Sequence, residues 1–126
     1  MGFKGLEEKF MQGESKKYLF DILEACKLIE QFARGKTLNN YRSDALLRSA
    51  LERQFQIIGE ALQQLSRKFP AVVEHITDYR SIISFRHVLV HGYNRIEDDV
   101  VWGIVESRLP RLRAEIEKLL HEPDEA

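Results

Sequence analysis

Apolar residues recur at spacings of three and four along almost the whole chain, and nowhere do they alternate convincingly with polar ones. Leu19, Ile22, Leu23, Cys26 and Ile29 form one such stripe, the pattern of an amphipathic helix with one buried face. A second helix is expected to start with Ser43 as its N-cap and Asp44 near the positive end of the dipole. Its stripe runs through Leu47, Ala50, Leu51, Ile58, Ala61, Leu62 and Leu65, while Phe55 and Ile57 fall off that line. A helix apolar on more than one side is either central or buries a second face against another chain. Gly59 sits within it and costs about 1 kcal/mol relative to alanine, which a close helix–helix approach would offset. Phe69-Pro70 ends it, because the residue before a proline is pushed out of the α region. Thr77 or Asp78 can cap a third helix carrying Tyr79, Ile82, Ile83, Leu89 and Val90 up to Gly92, a glycine suited to a left-handed C′ position. Asp98 or Asp99 can cap a fourth, with Val101, Ile104, Val105, Leu109, Leu112, Ile116, Leu119 and Leu120. Pro110 interrupts that last stripe and predicts a kink or a restart. No Asn-Gly or Asp-Gly hairpin turn interrupts the series. The expectation is an all-α, up-and-down bundle of four or five helices.

Length and composition bound what such a bundle can be. The chain has 126 residues, enough for one core. We divide it into an extension at 1–14 (loosely held, or a short helix near Leu6 to Met11), a helical domain at 15–122 and a tail at 123–126. Gly35 and Asn39-Asn40 predict a loop after the first helix. A formal net charge of -1 argues against coating nucleic acid over the whole surface. The single cysteine, Cys26, excludes an internal disulfide and fits a reducing compartment. No apolar run approaches the roughly 20 residues that span a bilayer, and the first residues lack a secretory pattern. The expected location is the cytoplasm.

Chemistry concentrates in Arg86-His87-Val88-Leu89-Val90-His91-Gly92-Tyr93. This stretch lies in the longest run without a carboxylate, Tyr79 to Ile96, which carries Arg80, Arg86 and Arg95. Local positive potential in a balanced chain suggests an anionic ligand such as phosphate. His87 and His91 share a helical face at the spacing used by zinc proteases, but Val88 stands where that motif needs glutamate. No neighbouring residue completes a zinc ligand set, so no metal is expected. The acidic trio Glu97-Asp98-Asp99 reads as a helix start rather than a metal site. Cys26 is on a buried stripe, and a glycine-rich phosphate loop is missing. Metal-free RNA cleavage, which requires no cofactor, fits better. Attack of a 2′-hydroxyl on its phosphate needs a base, an acid and a cation. Histidine, with a pKa of about 6.5, serves either proton role, and arginine grips phosphate oxygens with a planar fork. Arg86 and His91 are five residues apart, roughly 140° around a regular helix. They converge only if the helix ends near His91 or a second chain contributes. A helix-end histidine serving only as a hydrogen-bonded or dipole-matched residue is the competing reading.

Arg86, His91 and Tyr93 together resemble the R-x4-H-x-Y signature of the HepT-like toxins, members of the HEPN superfamily of helical, metal-independent ribonucleases. Tyr18-Leu19-Phe20-Asp21-Ile22-Leu23-Glu24-Ala25 resembles the family's opening helix, and Ile57-Ile58-Gly59-Glu60-Ala61 its central one. Val101-Trp102-Gly103-Ile104-Val105 with Leu109-Pro110 resembles its closing helix, so the likeness covers residues 16 to 120. The resemblance implies a two-fold homodimer with Arg86 and His91 as a catalytic pair in the cleft between protomers. It also implies that Tyr93 receives AMP from a minimal nucleotidyltransferase (MNT-type) antitoxin, which silences a toxin that cuts RNA. Arg80, Arg95 and His87 are candidate RNA contacts. Two departures stand out: His87 replaces the family's usual asparagine, and Tyr79 replaces a frequent tryptophan. The alternative function is a non-catalytic nucleotide- or partner-binding subunit of a minimal nucleotidyltransferase, and a helical dimer without chemistry is a third possibility.

Overall fold

In the computed structural model the described residues are 2–91 and 98–122, with backbone alone for 2–12 and 88–91. The expected C′ glycine Gly92, Tyr93, Arg95 and the tail at 123–126 lie outside them. All regular structure in the described residues is helical: α1 (Gly2–Ala33), α2 (Leu38–Ser43), α3 (Ala45–Lys68), α4 (Pro70–Val73), α5 (Tyr79–His91), α6 (Asp98–Gly103), a π-helical segment (Ile104–Arg108) and α7 (Leu109–His121). The all-α expectation therefore holds. None of the described helices is long and apolar enough to cross a membrane.

Helix starts and stops follow local chemistry, with informative departures. Residues 2–14, for which the sequence left open a loose extension or a short helix, are helical backbone continuous with the rest of α1. Gly35, at φ 71°, follows the end of α1 in the left-handed region that suits glycine. Asn39-Asn40 belongs to a short helix rather than a loop, because Thr37 caps it. The Asn40 N–H donates to Thr37 Oγ1 at 3.2 Å, and the Thr37 N–H donates to Asn40 Oδ1 at 2.9 Å, a reciprocal capping box. Asp44, not Ser43, is the N-cap of α3. Its Oδ1 accepts the N–H groups of Leu46 and Leu47 at 3.0 and 3.2 Å. The Ser43 hydroxyl instead donates to the Asn39 carbonyl at 2.9 Å. Phe69 closes α3 as expected, and Pro70 opens α4, where its missing N–H costs nothing.

Pro110 stands in the first turn of α7, which starts directly after the π-helical segment, so the restart expected at the proline is present. The turn ahead of it widens, and the Leu109 N–H bonds the Ile104 carbonyl five residues back. A π turn makes room for the proline ring, which would clash with the carbonyl four residues earlier.

Every residue of the first stripe is buried: Leu19, Ile22, Leu23, Cys26 and Ile29. They join Leu51, Ile58, Leu62 and Leu65 of α3 and Leu109, Leu112 and Ile116 of α7 in one core. Each such aliphatic side chain contributes roughly 1.5–3 kcal/mol by leaving water. Tyr41 and Trp102 pack with ring centroids 5.7 Å apart and tie α2 to α6. Arg113 bonds both Glu30 and Glu117, fastening α7 to α1.

The second apolar face of α3 has its explanation inside the chain. The helix packs on α1 and on α5, and Phe55 meets Phe85 edge-on at 5.3 Å. Central placement is thus the correct alternative of the two. The breadth of that face no longer argues for a second chain.

Candidate functional site on helix α5

The loop that launches α5 is clasped by α7, 38 residues further along the chain. The Glu115 carboxylate accepts the Thr77 N–H at 3.1 and 3.3 Å and the Thr77 hydroxyl at 2.7 Å. Asp78 follows at φ 55°, an uncommon left-handed conformation for a residue with a side chain. Its carbonyl accepts the first helical N–H groups, from Ser81 and Ile82, and its carboxylate pairs with Arg108 at 3.3 Å. Asp78 is therefore the backbone cap of α5, while Thr77 is held by Glu115.

From that anchored start, α5 runs without a carboxylate to His91. Arg80 is exposed, with its guanidinium over the Tyr79 ring at 5.5 Å, a cation–π contact. Arg86 is half-buried and lies across α3 at Gly59. A Cβ built on Gly59 would stand 2.6 Å from Arg86 Cγ and closer still to its Cβ. The close approach anticipated from a mid-helix glycine is therefore real. Arg86 Nε is enclosed, with no hydrogen-bond partner among the described residues. His87 is exposed and makes contacts of its own. Backbone helix continues to His91, but its side chain lies outside the described residues, as do Tyr93 and Arg95. Because α5 does not end before His91, the roughly 140° between Arg86 and His91 applies to it.

Beside α5 is a groove of about 430 Å³ lined by Phe55, Ile58, Ile82, Phe85, Val100 and Ile104, with Ser81, Ser84 and Arg108 as its polar members. A smaller recess of about 250 Å³ adjoins it through shared walls at Ile82, Arg108 and Leu112, and reaches Thr77 and Arg111. Neither Arg86 nor His87 is among the described walls of either. One wall of the groove is hinted at by residue spacing alone, since Phe55 lies off the main stripe of α3. The Thr77–Glu115 clasp had no signal, because its partners are far apart in the chain.

Cys26 is not part of this site. Burial first, and then the nearby Glu30 carboxylate, push its thiol up to about 12. It is a packed sulfur rather than a nucleophile at neutral pH. Among the described residues no three His, Cys, Asp or Glu side chains cluster as metal ligands would.

Comparison with known proteins adds the family. The family described as ribonuclease HepT-like matches residues 22–119. A probable ribonuclease HepT of Thermococcus cleftensis is 33% identical over 86% of this chain and 98% of its own. A protein of Methanocaldococcus jannaschii described as a gamma-glutamylcyclotransferase and putative RNase is 32% identical over 90% of this chain. This chain spans only about half of that protein, 51% of its length. Another M. jannaschii protein, described as a putative RNase, is 28% identical over 81% of this chain and 93% of its own. No solved structure matches. The match across most of the chain, and a relative one third identical along its full length, place this protein in the ribonuclease HepT-like family.

Proposed function

We propose that the protein is a metal-independent endoribonuclease, the toxin of a cytoplasmic toxin–antitoxin pair. Arg86 and His91 of two protomers would form its site. The observation that carries the reading is the anchoring of Arg86. A helix without carboxylates holds this arginine against a glycine, with no ion-pair partner among the described residues, in a chain of the ribonuclease HepT-like family. A guanidinium with no carboxylate partner among the described residues is available for a phosphate.

The chemistry follows from the residue types. One histidine removes the proton of a ribose 2′-hydroxyl, and the oxygen attacks the adjacent phosphorus. The bond to the 5′ oxygen breaks, and a second histidine protonates the leaving oxygen. The products are a 2′,3′-cyclic phosphate and a 5′-hydroxyl. Arg86 stabilises the phosphorane between these steps. A two-fold dimer supplies both histidines and also answers the angular separation of Arg86 and His91. Arg80, Arg95 and His87 would contact the RNA backbone. Tyr93 would accept AMP from a minimal nucleotidyltransferase antitoxin. Its hydroxyl attacks the α-phosphorus of ATP and pyrophosphate leaves. The added phosphate and adenosine would then repel and obstruct RNA.

The test is digestion of single-stranded RNA in EDTA by wild type, His91→Ala and Arg86→Ala. Cleavage leaving 2′,3′-cyclic ends is expected for wild type alone, with all three proteins folded by circular dichroism. Equal cleavage by His91→Ala would sink the assignment. Light scattering reports the dimer, and intact mass after co-expression with an adjacent nucleotidyltransferase reports AMP on Tyr93.

A further inference from the structure

We propose that Gly59 is the positioning residue for Arg86: α3 and α5 touch there at backbone distance, and this contact sets where the guanidinium stands. The proposal rests on the ribonuclease reading above and adds to it the device that aims the cation.

Three observations converge on this pair. Gly59 is buried in the interior of a helix of 24 residues, where glycine is disfavoured against alanine. Its position leaves no room for a methyl group, since both Arg86 Cβ and Arg86 Cγ already occupy that space. At the far end of the same stem, the Nε is enclosed without a partner among the described residues. An enclosed donor left unpaired is destabilising. A long cationic side chain would ordinarily swing out to water and recover that energy. Here the first two carbons of the stem are pressed on the glycine, so the side chain enters its site along a fixed line.

The chemistry gives such an arrangement a use. An arginine that stabilises a phosphorane acts through orientation, and misplacement by about 1 Å can cost roughly a hundredfold in rate. Any side chain at position 59 forces α3 and α5 apart on that scale, because contact with Arg86 Cβ involves the helix itself and not only a flexible tip. The neighbouring contact of Phe85 with Phe55 differs: it is a pair of ring edges that tolerates repacking.

The experiment compares wild type, Gly59→Ala, Arg86→Ala, the double variant and a Phe55→Leu control, which loosens the same helix pair without touching Arg86. We measure kcat and KM on single-stranded RNA in EDTA, melting temperature, and hydrogen exchange of the arginine Nε–H by nuclear magnetic resonance. Gly59→Ala is expected to lose about a hundredfold in kcat with KM changed less than about twofold. In the Arg86→Ala background the same substitution should cost no further kcat, although it still lowers the melting temperature. Phe55→Leu should lose stability and keep kcat. The Arg86 Nε–H should exchange slowly in wild type and Phe55→Leu, and quickly in Gly59→Ala. Equal losses of kcat in both backgrounds would show a purely structural glycine and overturn the proposal. So would exchange at Arg86 in wild type as fast as at exposed Arg80, a measurement that stands even if Gly59→Ala does not fold. If Arg86→Ala keeps full activity, the ribonuclease assignment fails instead, and the exchange data alone decide whether Gly59 places the side chain.

Discussion

Replacing Glu115 with alanine would release the loop that launches α5, and the cost follows from three contacts. The carboxylate holds the Thr77 N–H at 3.1 and 3.3 Å and its hydroxyl at 2.7 Å, in part-buried surroundings. A hydrogen bond to a charged group is worth about 1.5–3 kcal/mol. The backbone bond is shared between two oxygens, and water would partly replace what is lost. We therefore expect Glu115→Ala to destabilise by about 2–3 kcal/mol, which lowers the melting temperature by roughly 8–12 °C for a chain of this size. Thr77→Val removes only the hydroxyl contact, so it should lose about half as much. Together the two substitutions should cost less than the sum of their separate effects by about 1 kcal/mol. Thermal unfolding followed by circular dichroism at 222 nm gives all three values. A Glu115→Ala protein melting within about 2 °C of wild type would refute the reasoning, as would strict additivity of the pair.

Asp44→Ala removes the carboxylate that accepts the Leu46 and Leu47 N–H groups and should cost about 1 kcal/mol in urea unfolding; Ser43→Ala should cost less. Cys26 is enclosed, and its thiol is pushed up to about 12, so a disulfide reagent at pH 8 should label the native protein slowly and the denatured protein completely. Stability should also fall in base. Burial raises Cys26 from its ordinary 9.0, and raises Tyr41 from 10.0, each to about 12, with Glu52 and Asp98 adding to the Tyr41 shift. The unfolded chain then releases these protons first, so stability due to both groups is fully present below pH 9 and is lost as pH rises towards 12. Urea midpoints at pH 8, 10 and 11 should decline, and the decline should shrink in a Cys26→Ala, Tyr41→Phe protein.

The helical stripes were legible because burial needs one face per helix, and the spacing of Leu19, Ile22, Cys26 and Ile29 states that face directly. Gly59 was legible as a close approach but not its partner, because pairing between helices depends on crossing geometry that no local spacing records. Arg86 was singled out by residue type, while its pressed stem and enclosed Nε belong to packing. Ser43 and Asp44 are both good caps. The choice between them turned on α2, a six-residue helix too short to leave a periodic trace. Thr77 and Glu115 stand 38 residues apart, beyond the reach of any pattern in the chain.

The widened turn at Ile104–Arg108 amounts to an extra residue stored inside a continuous rod. Val101, Val105 and Leu109, before, within and after it, all stay buried. A one-residue deletion there could close the turn and leave both flanking segments in phase, whereas the same deletion in α3 would rotate half its buried side chains into water. Among homologues, length changes in this last arm should therefore gather at that slot.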